Sequence, residues 1–434
     1  MGSEFHLRAV VTGETYAPDR VRYRADDGGL LEVALDQSSL DAGEMRRVLQ
    51  DRLAHRGGVT ASGVWRYREF LPPIPDDCVV SRREGNTPTY ESDRLAAFTG
   101  VDGVRVKHEG CNPTGSFKDR GMTCGVSAAK WLGQTSVACA STGNTSASMA
   151  SYAAVAGMKA FVFIPAGGVA AGKLAQAVLH GASVVQIEGN FDDAMRLVQE
   201  VCAEFGVYLL NSINPFRIEG QKAIGMEIAQ DCCWQMPDWI VLPGGNLGNT
   251  SAIYKGLREL KAVGVIDRLP RMAVIQAAGA APLHAGYIDG FAGEPRTVHG
   301  PDTIASAIRI GAPASWVKCV DAVRSTEGLV ESVTDDEIIA AKRAVDTAGI
   351  GAEAASCASV AGLRRLASAG VVKRGDSVVC VLTGHILKDA EAAVGNYGIG
   401  ESLADGAGVS FDPIVCQPTL ESVRDGIARE LGGG

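Results

Sequence analysis

The chain has 434 residues, and hydrophobic side chains make up 46% of them, which excludes a disordered protein. Its 50 acidic residues outnumber 41 basic ones and give a formal charge of −9. Nucleic acid and anionic membranes are therefore excluded as main partners, because both attract basic surfaces. The 53 glycines follow no Gly-x-y repeat, and they predict turns and close backbone approaches of the kind α/β enzymes use around phosphates.

The 11 cysteines show neither a disulfide framework nor the paired Cys and His spacing of a metal site. They predict free thiols in a reducing cytoplasm and no bound metal. The longest stretch without charge, residues 131–158, is interrupted by polar residues and glycines, so no transmembrane helix is expected.

Residues 6–85 are rich in charge and irregular in pattern, and they predict an N-terminal extension around the main body. From about residue 101, short apolar runs alternate with helical windows, a pattern that favours an α/β fold with mainly parallel sheets. The predicted strands are residues 104–107, 136–140, 160–164, 183–187, 207–210, 239–242, 273–276 and 377–382. The predicted helices include residues 192–205, 221–232, 252–263, 335–347 and 355–369, and Thr334 with Glu337 forms a capping-box signature.

Two glycine-containing segments each follow a predicted strand and carry groups that bind anions. Residues 112–121 read NPTGSFKDRG, where Lys118 would be a phosphate ligand, a Schiff-base nucleophile or an ordinary surface lysine. Residues 141–145 read STGNT and offer hydroxyl, amide and backbone donors to a carboxylate or phosphate, or simply cap a helix.

A third segment, residues 243–250, reads PGGNLGNT and follows an apolar strand. Its glycines let backbone N–H groups converge on an anion at a helix start, although a tight structural turn is the alternative. The segment matches neither the P-loop nor the dinucleotide-binding pattern, so it indicates a phosphate on another molecule. Thr383 ends the predicted strand 377–382, at the edge of the sheet where ligands bind.

Together these segments, with residues 211–222 and 307–311, resemble the pyridoxal-phosphate enzymes of fold type II, and within that group the threonine synthase family. The resemblance covers roughly residues 85–400 in order. It implies two three-layer α/β lobes with mainly parallel sheets, plus the extension. The large cofactor-binding domain would comprise residues 86–133 and 213–400, the small domain residues 134–212, and a C-terminal tail residues 401–434.

The resemblance also implies a role for each matching residue. Lys118 would form the Schiff base with pyridoxal 5′-phosphate beside Phe117, Asn144 would bind the 3-oxygen of the ring, and Thr383 would face the pyridine nitrogen. The cofactor phosphate would lie in the loop formed by Gly244, Gly245, Asn246, Leu247, Gly248 and Asn249. A second phosphate, on the substrate, would be bound by Lys173, Asn211, Ser212 and Arg217, and Ser141 and Thr142 would help to bind the substrate.

The implied reaction is the conversion of O-phospho-L-homoserine and water to L-threonine and phosphate by a carbon–oxygen lyase. The alternative is an enzyme of specialised metabolism that acts on another γ-activated amino acid or a phosphonate analogue. The partner would be a small phosphorylated amino acid, and a homodimer is left open as the assembly.

The sequence departs from the family pattern at several positions. Ala223 and Ala312 replace the usual Thr and Asn, and Glu353 is followed by Ala354 instead of proline. His385 is interpreted as a polar residue near the edge of the cofactor, and the extension lacks the cysteines of a metal-binding ribbon.

Overall fold

The computed structural model describes residues 5–166, 171–188, 191–389, 414 and 416–432. By its internal contacts the chain divides into two units, Met1–Lys388 and Asp389–Gly434. All strands described below belong to the first unit. The second unit contributes one described helix.

The strands are β1 Phe5–Ala9, β2 Thr15–Tyr16, β3 Leu31–Leu35, β4 Thr89–Glu91, β5 Gly103–His108, β6 Ser136–Ala140, β7 Lys159–Pro165, β8 Ser183–Ile187, β9 Tyr208–Leu209, β10 Trp239–Pro243, β11 Arg271–Ala277, β12 Leu329–Val333 and β13 Ser377–Leu382. The helices are α1 Ala42–Asp51, α2 Asp93–Thr99, α3 Lys118–Trp131, α4 Asn144–Ala156, α5 Ala171–Leu179, α6 Phe191–Phe205, α7 Pro215–Gln221, α8 Ala223–Asp231, α9 Gly248–Val263, α10 Pro282–Ile288, α11 Trp316–Ser325, α12 Asp335–Thr347, α13 Ala354–Ser368 and α14 Leu420–Gly432.

Two sheets organise the main body. The larger has the strand order β12-β11-β10-β13-β5-β4, in which every pair is parallel except the edge pair of β4 with β5. The smaller has the order β8-β7-β6-β9 and is parallel throughout. The predicted mainly parallel α/β architecture is confirmed. The domain boundaries proposed from the sequence stay a prediction.

Most strand and helix predictions are confirmed within one or two residues. The capping box is present, with the Thr334 hydroxyl accepting from the Glu337 N–H at the start of α12. The predicted helix over residues 221–232 instead begins at Ala223, because α7 ends at Gln221. The extension adds a small antiparallel sheet of order β2-β1-β3 that the sequence did not predict.

Burial places α3 at the centre of the molecule. Every residue from 119 to 129 in this helix is buried, so it shows no polar face and little amphipathic pattern. It lies against α4, which follows β6 of the smaller sheet, and against α7, which follows β9. The first residue of α3, Lys118, is thus held by a helix that cannot easily move.

Among the described helices, none is both long and apolar enough for a membrane crossing.

Candidate active site

The start of α3 is tied to the end of β13 by backbone hydrogen bonds. The Phe117 N–H donates to the Thr383 carbonyl oxygen at 3.0 Å, and the His385 N–H donates to the Gly115 carbonyl oxygen at 2.9 Å. Because parallel strands end at one edge of the sheet, this pairing places Lys118 beside the edge where ligands bind in open α/β sheets.

The Lys118 amine has the character of a reactive group. Its side chain is half-buried, and Nζ lies 4.1 Å from the centroid of the Phe117 ring. Burial and the positive charge of Arg217 together lower the pKa of this amine to about 7, and the negative charge of Glu353 partly opposes them. A large fraction of the amine is therefore neutral and nucleophilic near neutral pH.

The loop that leads into Lys118 is held by a buried carboxylate. The Asp119 side chain accepts hydrogen bonds from the Thr114 N–H at 2.6 Å, the Thr114 hydroxyl at 2.5 Å and the Ser148 hydroxyl at 2.5 Å. Burial raises the pKa of Asp119, although these hydrogen bonds act in the opposite direction. The contacts fix the loop before Lys118 against α4.

Asn144 and Thr383, which belong to separate sequence motifs, meet at a third residue. The Glu353 carboxylate accepts from Asn144 Nδ2 at 2.9 Å and from the Thr383 hydroxyl at 3.3 Å. Glu353 is 2% exposed and directly precedes α13. No role for Glu353 follows from the sequence, because no local spacing relates it to positions that lie 209 and 30 residues away.

The glycine-rich segment after β10 forms a close turn before α9. The Gly244 N–H donates to the Ile275 carbonyl oxygen at 2.7 Å, and a Cβ on Gly245 would lie 3.0 Å from Ile308 Cα. Leu247 has a φ of +63° immediately before the first residue of α9. The turn therefore presents the N-terminus of a 16-residue helix, which attracts an anion.

Asn249, in the first turn of α9, offers unsatisfied groups at this helix start. Both its amide oxygen and its amide nitrogen are buried and have no hydrogen-bond partner within the described residues. The Ser116 hydroxyl, next to Phe117, is buried and unpartnered in the same sense. Buried polar groups are normally hydrogen-bonded, so these atoms indicate that the site is built to bind a ligand.

Asn246 and Ser212 are joined to each other. Asn246 Nδ2 donates to the Ser212 hydroxyl at 2.8 Å, and Asn246 Oδ1 accepts from the Ala314 N–H at 2.6 Å. The structure thus brings the candidate cofactor loop next to a residue of the candidate substrate set. It also brings the segment that contains Ala312 close to the loop, and Ala312 itself is exposed.

Arg217 is the strongest candidate for binding a second anion. It is 3% exposed, its Nη1 donates to the Leu210 carbonyl oxygen at 2.9 Å, and its Nε is buried without a partner. Burial lowers the pKa of Arg217 to about 10. A buried guanidinium without a carboxylate partner among the described residues is costly, and an anionic ligand would offset that cost.

Among the described residues, the structure does not show a buried, unpartnered anion-binding group for the rest of the predicted substrate set in the way that it does for Arg217. Asn211 already uses both ends of its amide, accepting from the Ala140 N–H at 3.0 Å and donating to the Ala140 carbonyl oxygen at 3.1 Å. Ser141 and Thr142 are half-buried just before α4. The side chain of Lys173 lies outside the described residues.

Two further positions singled out in the sequence have clear surroundings. Ala223 is fully buried at the start of α8 and packs in the main hydrophobic core. His385 stacks on His108 with their ring centroids 6.5 Å apart, and burial lowers the pKa of both rings.

The chain is similar in sequence to known proteins. Residues 80–384 match the family described as "Pyridoxal-phosphate dependent enzyme". The chain is 46% identical to the threonine synthase of Methanosarcina acetivorans over 425 residues, which cover 98% of each chain. It is 51% identical to the threonine synthase of Mycobacterium leprae over 330 residues, 76% of this chain and 89% of that one.

Solved structures show the same fold. The structure of threonine synthase from Escherichia coli matches with a TM-score of 0.70 and 17% identity, over 92% of this chain and 93% of that one. The processed form of threonine deaminase isoform 2 from Solanum lycopersicum matches with a TM-score of 0.60 and 20% identity, over 82% and 94%. The predicted fold class is confirmed.

Proposed function

The chain belongs to the pyridoxal-phosphate-dependent enzymes and, among them, to the threonine synthases, and from this we propose that it converts O-phospho-L-homoserine and water to L-threonine and phosphate. The observation that carries this proposal is the 46% identity to a threonine synthase across 98% of both chains. The enzyme is thus a carbon–oxygen lyase acting on phosphates.

The residues after β10 fit the phosphate of the cofactor. Asn249 supplies buried amide groups without partners, and the start of α9 supplies backbone donors and the positive end of a helix dipole. Gly244 and Gly245 keep the turn free of side chains that would collide with Val274 and Ile308. We assign the cofactor phosphate to the loop from Gly244 to Asn249, in which Asn246 and Leu247 fix the shape of the turn.

When bound, pyridoxal phosphate supplies an electron sink for negative charge that develops on the substrate. Lys118 is the group that we expect to move protons. Because burial and Arg217 bring the pKa of its amine to about 7, it can both accept and return a proton near neutral pH. We assign Phe117, Asn144 and Thr383 to orienting the ring of the cofactor.

Arg217 is the residue that we assign to the phosphate of the substrate. Its buried Nε without a partner and its position beside Lys118, whose pKa it lowers, support a second anion at this point. Ser212 is linked to the cofactor loop through Asn246. Asn211 binds Ala140, so we assign it the indirect role of holding the segment that carries Ser212. Lys173 stays a prediction, as do Ser141 and Thr142.

The overall reaction breaks the bond between the γ carbon and the ester oxygen, and phosphate leaves with the electron pair. Water supplies a hydroxyl group to the β carbon, which gives up one of its protons, while the γ carbon gains a proton and the second proton of water ends on the released phosphate. Besides the cofactor, the reaction requires a group that can shuttle protons among neighbouring carbons, and the Lys118 amine has a suitable pKa. The guanidinium of Arg217 would stabilise the leaving phosphate without taking part in proton transfer.

The decisive experiment supplies O-phospho-L-homoserine to the purified enzyme with pyridoxal phosphate and measures released phosphate and threonine. We expect the two products in equal amounts, and none with Lys118→Ala. Turnover of a phosphonate or another γ-activated homoserine ester, with none of O-phospho-L-homoserine, would replace the proposal by the alternative substrate class.

Two finer assignments accompany this function. All eleven cysteines are free, which supports a reducing compartment such as the cytoplasm. A homodimer stays a prediction, which sedimentation of the holoenzyme would test.

A further inference from the structure

Glu353 is a buried carboxylate held at the active site by contacts that include Asn144, Thr383 and Gly384. Its carboxylate accepts from Asn144 Nδ2 at 2.9 Å and from the Thr383 hydroxyl at 3.3 Å. Its own N–H donates to the Gly384 carbonyl oxygen at 3.1 Å. A Cβ on Gly384 would overlap the Glu353 carboxyl group, so a glycine is required for the carboxylate to lie there.

The contact with Glu353 determines how the amide of Asn144 is oriented. A carboxylate only accepts hydrogen bonds, so the amide must turn its NH2 group toward Glu353. The second N–H of the same group then remains for another acceptor. The 3-oxygen of pyridoxal phosphate is such an acceptor, whereas an amide turned the other way would present its own oxygen to it.

The hydroxyl of Thr383 is constrained in the same way. Its oxygen lies 2.9 Å from the Ser356 hydroxyl as well as 3.3 Å from Glu353, and the Gly384 N–H donates to Ser356 Oγ at 2.8 Å. Because a hydroxyl has only one proton, these neighbours decide where that proton points. The carboxylate, which can only accept, is the member of the set that fixes the direction of donation.

We propose that Glu353 is a positioning residue that orients both Asn144 and Thr383 for the cofactor ring. In pyridoxal phosphate only the carbon that carries the methyl group separates the ring nitrogen from the ring carbon that carries the 3-oxygen. One side chain can therefore contact the residues assigned to both atoms. This inference rests on the proposed function only for the presence of the cofactor and not for the identity of the substrate.

Electrostatics supports the same placement. The negative charge of Glu353 raises the pKa of Lys118, while burial and Arg217 lower it. The carboxylate is thus close enough to influence the reactive amine directly. The Glu353 side chain makes no capping hydrogen bond to α13, so helix capping does not account for its buried position.

The test uses Glu353→Gln, which keeps the shape and removes the charge, and Glu353→Asp, which keeps the charge and shortens the reach. The matched control is Glu331→Gln, a half-buried glutamate on β12 whose carboxylate lies near His284 and Arg365. The apoenzymes are labelled with an amine-specific reagent as a function of pH, and the label on Lys118 is measured by mass spectrometry. The holoenzymes are then titrated by visible absorbance.

We expect Glu353→Gln to lower the pH midpoint of Lys118 labelling by about one unit or more, as the loss of a close opposite charge does. Glu353→Asp should keep the midpoint, and Glu331→Gln should change nothing. In the holoenzyme, both Glu353 variants should shift the visible spectrum and lower kcat by up to about 100-fold, with KM for the substrate little changed, because misplaced ring contacts affect the reaction more than binding.

Two results would overturn the inference. One is a Glu353→Gln variant with the labelling midpoint and the cofactor spectrum of the wild type. The other is a variant whose only change is a lower melting temperature, which would mark a purely structural role. Neither readout depends on which amino acid is turned over, so failure of the substrate assignment would be recognised separately.

Discussion

The N–H of Phe117 donates to the carbonyl oxygen of Thr383 at 3.0 Å, so the residue before the reactive lysine is bonded to the residue that follows the central strand β13. The two belong to motifs 266 positions apart in the sequence. This hydrogen bond fixes the position of Lys118 relative to the larger sheet. Charged side chains near the Lys118 amine therefore hold fixed positions. The direction in which each of them shifts the pKa of the amine can be predicted.

The first prediction concerns the ionisation of Lys118. Burial and the charge of Arg217 lower the pKa of the amine to about 7, so labelling of the apoenzyme should reach its half-maximal rate near pH 7. Arg217→Met removes a positive charge and should move the midpoint upward, because the ammonium form is then less disfavoured. The measurement is the rate of Lys118 modification across pH 5 to about 11, a range chosen to span the reference lysine pKa.

Arg68→Met is the matched control for that experiment. Arg68 is a partly exposed arginine that pairs with Asp76 at 2.7 Å. Its removal should leave the midpoint unchanged. An equal shift in both variants would mean that general charge, and not the location of Arg217, sets the pKa of Lys118.

The second prediction separates the two anion sites. Arg217→Ala should raise KM for O-phospho-L-homoserine by about 10- to 100-fold, the equivalent of a lost hydrogen bond to a charged group. Cofactor affinity should change much less, because the Gly244–Asn249 loop lies on another helix. Both constants are obtained from kinetics and from titration of the apoenzyme with pyridoxal phosphate. A comparable loss in both would show that one site serves both phosphates.

The sequence predicted the sheets well because their strands are short apolar runs buried on both faces. It missed β12, whose residues Glu331 and Ser332 interrupt the apolar pattern. β1 and β3 were also missed, since charged residues such as Arg8 and Glu32 alternate with apolar ones in half-buried strands. These strands were missed because a hydrophobic pattern reports which side chains are shielded from solvent. It does not report which strands form hydrogen bonds with each other.

The candidate site could be predicted only where a loop carries its own signal. The Lys118 and Gly244 segments combine turn residues with a helix start, which is a local pattern. Glu353 has no such pattern, and its importance emerges from contacts with Asn144 and Thr383. In the same way, nothing local reveals that the Asn211 amide is already bonded to Ala140.

The third prediction concerns the cofactor phosphate. Asn249→Asp puts a negative charge in place of a buried, unpartnered amide, so it should weaken pyridoxal phosphate binding by repulsion as well as by loss of a donor. Asn249→Ala should weaken binding less, because it removes the donor only. Equilibrium dialysis of the cofactor measures both. An Asn249→Asp enzyme that binds the cofactor as tightly as the alanine variant would contradict the assignment of this residue to a phosphate.

The fourth prediction concerns the ion cluster beneath α3. The carboxylate of Glu227 lies 2.6 Å from Arg120, 2.9 Å from Lys107 and 3.4 Å from Arg66. Burial alone would raise the pKa of Glu227, but the charges of Arg120 and Lys107 outweigh it and hold the pKa well below the usual range. Removing this one carboxylate leaves three buried cations with too few partners.

Glu227→Gln should therefore lower the free energy of unfolding by about 3–5 kcal/mol, the typical cost of breaking a buried ion pair on one side. Urea unfolding followed by circular dichroism measures the change, and Asp102→Asn, which breaks the exposed pair with Arg374, should leave the midpoint in place. Because the folded-state pKa is depressed, the advantage of wild type over Glu227→Gln should be complete above the usual glutamate pKa of 4.5 and diminish as the pH falls below it. A difference that instead grows on acidification would mean that Glu227 is protonated in the folded enzyme and that the cluster is held together by other contacts.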